Sequence, residues 1–336
     1  MTNPPLPPFI ERSIRAQQLL PSHRPLLRFF QDALSRFQGS GAGLEVVGTL
    51  SGRDGHGPHK PLPVPARPPV RPRNLLVLDS SFNPPTRAHL RMAKSAVTAY
   101  AAAGPRVLLL LSTNNADKAA KPAVFEQRLA MMYGFAEDLR SELDADEDAL
   151  GHDARAAVDI DIGLTTRPFF HDKSAAIASS AFYGGTGASS EPAAPEPPPD
   201  QVFLVGYDTL VRVLNPKYYQ PAGDPDRTPM QAALSPFFAR ARLRVTGRAD
   251  GSPGGKEEQE AYMDRLARGT ALEEVGGRRE WASKVEFVEG RETAEAVVSS
   301  TLARAAAKQK DWEGVRRLVS NKVAAWIKQE ELFADN

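Results

Sequence analysis

Two short runs hold the residue types best suited to grip an anion: Asp79-Ser-Ser-Phe-Asn-Pro-Pro-Thr-Arg-Ala-His-Leu90 and Val298-Ser-Ser-Thr-Leu-Ala-Arg304. Each follows a strand-like stretch and opens a helix-like one, so each offers unpaired N–H groups and the positive end of a helix dipole to negative charge. In the first run Thr86 and His89 lie three residues apart, one helical turn, and can face the same anion. In the second, Ser299, Ser300 and Thr301 can cap a helix and donate to phosphate at once, with the Arg304 guanidinium one turn further on. Taken singly, each signal is weak. Asn83-Pro84-Pro85 also makes an ordinary turn, and Ser/Thr caps are common. A lone histidine is more often a packed polar side chain than a reactive one. His23, His56, His59, His152 and His171 fall in loop-like stretches without metal-ligand spacing. Order and context separate His89 and Arg304 from that background.

Together the two runs resemble the nucleotide-binding motifs of the nucleotidyltransferase superfamily. The resemblance is to the nicotinamide mononucleotide adenylyltransferases, fungal branch, whose patterns run G-S-F-N-P-x-T-x-x-H and I-S-S-T-x-x-R. It implies a Rossmann-like nucleotidyltransferase fold and adenylyl transfer from ATP to nicotinamide mononucleotide, with Mg²⁺ accompanying ATP. Carried over by position, it makes His89 and Arg304 the catalytic pair. ATP then meets Ser80, Ser81, Phe82, Thr86, His89, Ser299, Ser300, Thr301 and Arg304. Asn83 falls to the second substrate. So do a lysine after the second strand, Lys118 or Lys121, and Gly206 and Asp208 of a G-x-D segment that ends a strand. The chain departs from the pattern at Ser80, where the family has Gly, and lacks the Trp-containing segment after G-x-D. Arg167-Pro-Phe-Phe170 supplies Phe169 or Phe170 as a replacement stacking ring. Such a reaction aligns two substrates and neutralises charge on a triphosphate, and it needs no nucleophilic side chain. Two alternatives stand beside this reading: transfer to another phosphorylated acceptor, and an ATP-binding scaffold without activity.

The elements that must position these residues read as alternating strands and helices. Asn74–Leu78 and Arg106–Ser112 are continuous apolar runs of the kind buried parallel strands show. Segments 158–162, 201–206, 242–246 and 284–288 are further strand candidates. Leu90, Ala93, Val97 and Tyr100 mark one helix, and Phe125, Leu129, Met132, Ala136 and Leu139 a second. Asp311 reads as an N-cap, followed by Val315, Leu318, Val319, Val323 and Ile327 on one face. This alternation predicts a mostly parallel sheet with helices on both faces.

Composition divides the chain near residue 74. Thirteen of the 29 prolines precede it, so residues 1–73 read as a partly ordered extension with a Pro-rich linker at 61–72, although Leu26, Phe29, Phe30, Leu34 and Phe37 have helical spacing. Residues 74–336 read as the nucleotidyltransferase domain, with flexible insertions near 141–153, 184–200 and 250–256. A formal net charge of +1 gives no general attraction to nucleic acid, and no apolar run nears the roughly 20 residues of a membrane span. No secretory signal is expected at the N-terminus, and the absence of cysteine removes disulfides and thiolate metal sites. Cytoplasmic or nuclear placement is the expectation, with no protein-held metal. Oligomeric state and protein partners stay open.

Overall fold

A computed structural model describes residues 23–51, 62–114, 123–145, 158–184, 198–220, 226–247, 256–288 and 297–334. The chain enters through helix α1 (His23–Ser40) and edge strand β1 (Leu44–Leu50), then crosses to β2 (Asn74–Asp79). Helix α2 (Arg87–Ala99) leads to β3 (Arg106–Ser112), α3 (Phe125–Asp144) to β4 (Ile160–Thr165), and α4 (Phe170–Ala178) to β5 (Asp200–Gly206). Helices α5 (Tyr207–Val213) and α6 (Pro229–Arg240) precede β6 (Ala241–Thr246). Then come α7 (Lys256–Ala267), α8 (Thr270–Glu274), β7 (Val285–Val288), α9 (Ser300–Lys308), α10 (Trp312–Leu318) and α11 (Asn321–Gln329).

The seven strands form one sheet in the order β1-β4-β3-β2-β5-β6-β7, parallel except for β1, which runs antiparallel to β4. Its central strands are apolar throughout because both faces are covered. Leu76 and Leu78 of β2 join the core under α1, α2, α3 and the C-terminal helices, while Leu75 and Val77 join the core under α4, α6 and α7. From β2 the chain moves outward through β3 to β4, then returns to the far side of β2 to make β5. The direction therefore reverses between β2 and β5, and the crevice outside the carboxyl ends of these strands is where open α/β sheets hold ligands.

The structure departs from expectation in three places. First, the described part of the N-terminal extension, residues 23–51 and 62–73, supplies a helix and an edge strand to the fold. Phe30 and Phe37 of α1 are fully buried, and β1 covers β4 from Leu44 opposite Thr165 to Leu50 opposite Ile160. Proline content misleads there because the Pro-rich strap at 62–73 lies against the sheet. A Cβ on Gly48 would come within 2.8 Å of the Pro63 carbonyl. Second, the C-terminal apolar face comes from two helices, since Val319 and Ser320 take extended backbone and restart the helix at Asn321. Third, α3 continues to Asp144, into the segment read as an insertion. Helices α6, α7 and α8 were not foreseen. α6 carried a legible start, since Thr228 accepts from the Gln231 N–H ahead of Pro229 at the first turn. Residues 1–22, 146–157, 185–197 and 248–255 lie outside the described residues, and with them most of the expected insertions.

The strap is tied to the amino edge of the sheet by a buried polar knot. Arg106 donates to both Asp161 oxygens at 2.7 and 2.8 Å, to Asp159 at 2.5 Å and to the Ala66 carbonyl at 2.6 Å. Asp161 also accepts from Thr49 at 2.7 Å and from the Tyr183 hydroxyl at 3.1 Å. Asp161→Ala would strand these donors, with Asp159 alone left to face Arg106. We expect it to destabilise the fold by about 3–5 kcal/mol in urea denaturation. A loss under about 1 kcal/mol would show that Asp159 alone satisfies the guanidinium.

Candidate functional site

The loop joining β2 to α2 leaves the sheet at the point where strand order reverses. Its first residue stays paired, with the Ser80 N–H donating to the Leu110 carbonyl at 3.3 Å. Phe82 then takes a positive φ of 45°, costly for a bulky side chain, and its fully buried ring packs against Phe135 and His89, with centroids 6.4 and 5.9 Å away. Asn83 accepts from the Ala123 N–H at 3.1 Å through its side chain, tying the loop to the approach to α3. Thr86 begins α2 as its N-cap with extended backbone.

His89 sits at the third position of α2, and its tautomer follows from its partners. Nδ1 accepts from the Thr86 backbone N–H at 3.0 Å and lies 2.8 Å from the Thr86 hydroxyl. A backbone N–H can only donate, so Nδ1 carries a lone pair and the neutral ring holds its proton on Nε2. That Nε2–H meets the Ser80 hydroxyl at 3.0 Å. Burial pushes the imidazole down from 6.5 to about 4. The ring is thus a neutral N–H donor aimed from the first turn of α2 toward Ser80.

The second motif docks on the first. Ser299 caps α9 by accepting from the Leu302 N–H at 3.2 Å. Ser300 donates to the Pro84 carbonyl at 2.8 Å, and Arg304 donates to the Asn83 carbonyl at 2.6 Å and to Thr301 at 3.2 Å. Arg87 of α2 reaches the Arg316 carbonyl at 3.1 Å and ties α2 to α10. Residues more than two hundred positions apart therefore frame one loop, with the starts of α2 and α9 on either side of it.

The remaining site residues divide. Extending the register in which Val77 pairs with Phe203 puts Gly206 level with Ser80, so Gly206 and the exposed Asp208 stand at the same carboxyl edge. Gly206 caps α5 and Asp208 lies in its first turn. Phe169 and Phe170 do not form one platform. Phe170 packs edge-on against Phe203 at 5.5 Å in the second core, with the Lys173 ammonium 5.3 Å from its centroid. Phe169 is half-buried and stacks on His171 at 5.6 Å with planes 9° apart, and His171 in turn touches Tyr219. Burial lowers the His171 pKa, against the pull of Asp172 in the other direction. Lys118 and Lys121 lie outside the described residues.

Two features at this edge had no sequence signal. Lys173 on α4 donates to Asp79, the last residue of β2, at 2.5 Å, and both side chains are nearly buried. Arg128, in the first turn of α3, is 2% exposed and donates through Nε to the Ser81 carbonyl at 2.8 Å. Neither residue stands near the motifs in sequence, and only the fold brings them there. Among the described residues no group of three or more His, Asp or Glu side chains could hold a metal ion. No described helix is long and apolar enough to cross a membrane.

These groups can hold an anion. Helix starts, an N–H-bearing imidazole, hydroxyls and a guanidinium converge, and Asp79, the carboxylate that precedes the loop, is paired with Lys173. A cytidylyltransferase-like family pattern matches residues 77–213. A Schizosaccharomyces pombe protein carrying the provisional name nicotinamide mononucleotide adenylyltransferase is 31% identical over 260 residues, 77% of this chain and 86% of its own. Plasmodium falciparum nicotinic acid mononucleotide adenylyltransferase, solved in complexes with NaAD and with APC, aligns over 78% of this chain and 97% of its own. The identities are 11% and 10%, and the TM-score is 0.39 in both cases.

For the free protein, the His89 imidazole is expected to titrate near pH 4, with the proton of the neutral ring on Nε2. Because the folded value lies below 6.5, stability that rests on the neutral ring is complete above pH 6.5. It is lost as pH falls toward 4. Long-range ¹H–¹⁵N spectra of the histidines across that range give both tautomer and midpoint, and a midpoint at or above 6.5 would contradict the buried donor.

Proposed function

The chain belongs to the nicotinamide mononucleotide adenylyltransferase family of nucleotidyltransferases, and from that premise we propose that it transfers the adenylyl group of ATP to nicotinamide mononucleotide, giving NAD and pyrophosphate. The observation that carries this reading is the docking of the second motif on the first, with Arg304 on the Asn83 carbonyl and Ser300 on the Pro84 carbonyl. It supports the reading because it brings the start of α9 against the loop that follows β2, at the sheet's switch point.

In the proposed reaction a phosphate oxygen of the mononucleotide attacks the α-phosphorus of ATP. The bond from that phosphorus to the bridging oxygen breaks, and pyrophosphate leaves with the electron pair. Mg²⁺ enters with ATP as part of the substrate and offsets triphosphate charge. The protein aligns the partners and stabilises charge. The Ser80 hydroxyl, which accepts from His89 Nε2–H, donates its own proton to a phosphate oxygen beside the start of α2. The Ser299 and Thr301 hydroxyls and the Ser300 backbone N–H do so from the start of α9, while the Ser300 hydroxyl stays on the Pro84 carbonyl, and the remaining N–H groups of Arg304 take the β- and γ-phosphates. Asp208 accepts from ribose hydroxyls at the neighbouring strand end, and the half-buried Phe169 is the ring available to the pyridine.

Ser80 occupies the family's glycine position, and its hydroxyl extends the imidazole donor by one hydrogen bond instead of blocking it. That observation favours an active enzyme over a scaffold. Approaching phosphates raise the His89 pKa, because negative charge beside Nε2 favours the imidazolium.

Purified protein with Mg²⁺ and ATP is expected to release pyrophosphate fastest with nicotinamide mononucleotide. The comparison panel is nicotinic acid mononucleotide, phosphopantetheine and a polyol phosphate. His89→Ala is expected to fold normally and lower kcat by about 10²–10³-fold, the scale for one preorganised donor to developing charge. Arg304→Ala is expected to weaken ATP binding and turnover together, with Arg304→Lys recovering only part. Unchanged ATP affinity in Arg304→Ala would remove that residue from the phosphate site, and faster release with another acceptor would reassign the substrate.

A further inference from the structure

A charged side chain sealed beneath the first motif has no role in the reading above. Arg128 is 2% exposed, its guanidinium carbon lies 4.8 Å from the Phe125 ring centroid, and its Nε donates to the Ser81 carbonyl. Among the described residues it makes no ion pair, unlike the buried Arg106 and Lys173, each matched to an aspartate. A buried cation without a counter-charge is a standing cost to the fold. Burial lowers its pKa from 12.5 to about 10, so the charge survives at neutral pH. The fold therefore keeps a positive charge directly behind the loop that both motifs frame.

The bond to Ser81 has a geometric consequence. The Ser81–Phe82 peptide is trans, so its carbonyl and N–H point in opposite directions. Holding the carbonyl toward Arg128 turns the Phe82 N–H away from Arg128. Among the described residues that N–H meets no acceptor, although Phe82 is buried. A donor left open inside a protein calls for a partner that arrives from outside.

We propose that Arg128 is a positioning residue for adenylyl transfer, which locks the Ser81–Phe82 peptide so that the Phe82 N–H faces the nucleotide's phosphates and whose charge is balanced when they bind. This rests on the adenylyl-transfer reading for its anion, and it adds a buried cation behind a loop that Arg304 already approaches from the second motif. Arg128 touches no substrate. It acts by orienting and polarising one peptide group, and by contributing field through it.

The test uses the full-length chain as wild type, Arg128→Met and Arg128→Lys. Melting temperature is read with and without Mg²⁺ and ATP, and kcat and KM are read with nicotinamide mononucleotide. Arg128→Met is expected to remain folded, since an apolar chain of similar length relieves an uncompensated charge. Its ATP-induced rise in melting temperature should be at least halved and its kcat lowered by about 100-fold, with KM for the mononucleotide within about twofold. Arg128→Lys keeps a charge without the planar fork, so it should restore more of the thermal shift than of kcat. Should Arg128→Met fail to fold, that split in Arg128→Lys decides the matter. A full thermal shift with normal kcat in Arg128→Met overturns the proposal. So does a loss of activity that returns completely on cooling, which would mark a role in stability alone. A wild type that gains stability from ATP but does not use the mononucleotide defeats only the acceptor assignment, and the thermal-shift arm still judges Arg128.

Discussion

A backbone loop that is to receive phosphates must turn its carbonyl oxygens elsewhere, because each carries partial negative charge. The loop after β2 meets this constraint with donors borrowed from distant parts of the chain. Ser81 gives its carbonyl to Arg128 of α3, Asn83 gives its own to Arg304 of α9, and Pro84 to Ser300 of the same helix. The prolines at 84 and 85 remove two N–H groups whose direction would otherwise need fixing. The positive φ at Phe82 belongs to the same arrangement, and its strain is held by a ring with no exposed surface.

The sheet explains why those donors are within reach. Strand order reverses between β2 and β5, so the helix after β2 and the helix after β4 cover opposite faces and leave a crevice between strand ends. The closing helices α9 to α11 return to the α2 and α3 side, where Lys322 of α11 pairs with Glu137 of α3 at 3.0 Å in a buried contact. That contact, with the Lys322 N–H donating to Asp138, fixes the C-terminal helices on α3. The start of α9 is then carried to Pro84. Burial raises Asp138 to about 6 despite the hydrogen bond it accepts from the Lys322 N–H. The clamp that aligns the two motifs therefore lies far from solvent.

Much of this was legible in the sequence, and the failures have physical causes. β3 matched its expected range, and β2 and β5 to within one residue, because strands buried on both faces are apolar without interruption. The two motifs were legible because anion binding at a helix start restricts side chains locally. β1 was missed because Leu44–Leu50 sits among glycines and prolines, and composition there reports the strap and loops around it, not the strand between. The choice between Phe169 and Phe170 was open in the sequence for a different reason. Adjacent residues at a helix start point in different directions, and only packing against Phe203 shows which one is core. Lys173 and Arg128 were invisible because their partners, Asp79 and the Ser81 carbonyl, are contacts of the tertiary fold.

The serine in place of glycine shows how a departure from a family pattern can fit the chemistry. A glycine after β2 would leave His89 Nε2–H open to water and to ligand alike. With Ser80 present, the imidazole proton is already engaged at 3.0 Å, and the Thr86 N–H fixes the opposite nitrogen at 3.0 Å. The ring is thereby held in one tautomer and one orientation before any ligand arrives, which reduces the reorganisation needed in the transition state. The hydroxyl can accept from Nε2 and donate onward with its own proton, so the chain of donors grows by one member and ends closer to the crevice. The added Cβ requires that any ligand keep slightly farther from the backbone at residue 80. A donor that reaches outward offsets that distance, and so the Ser80 hydroxyl and the His89 imidazole act as a single unit.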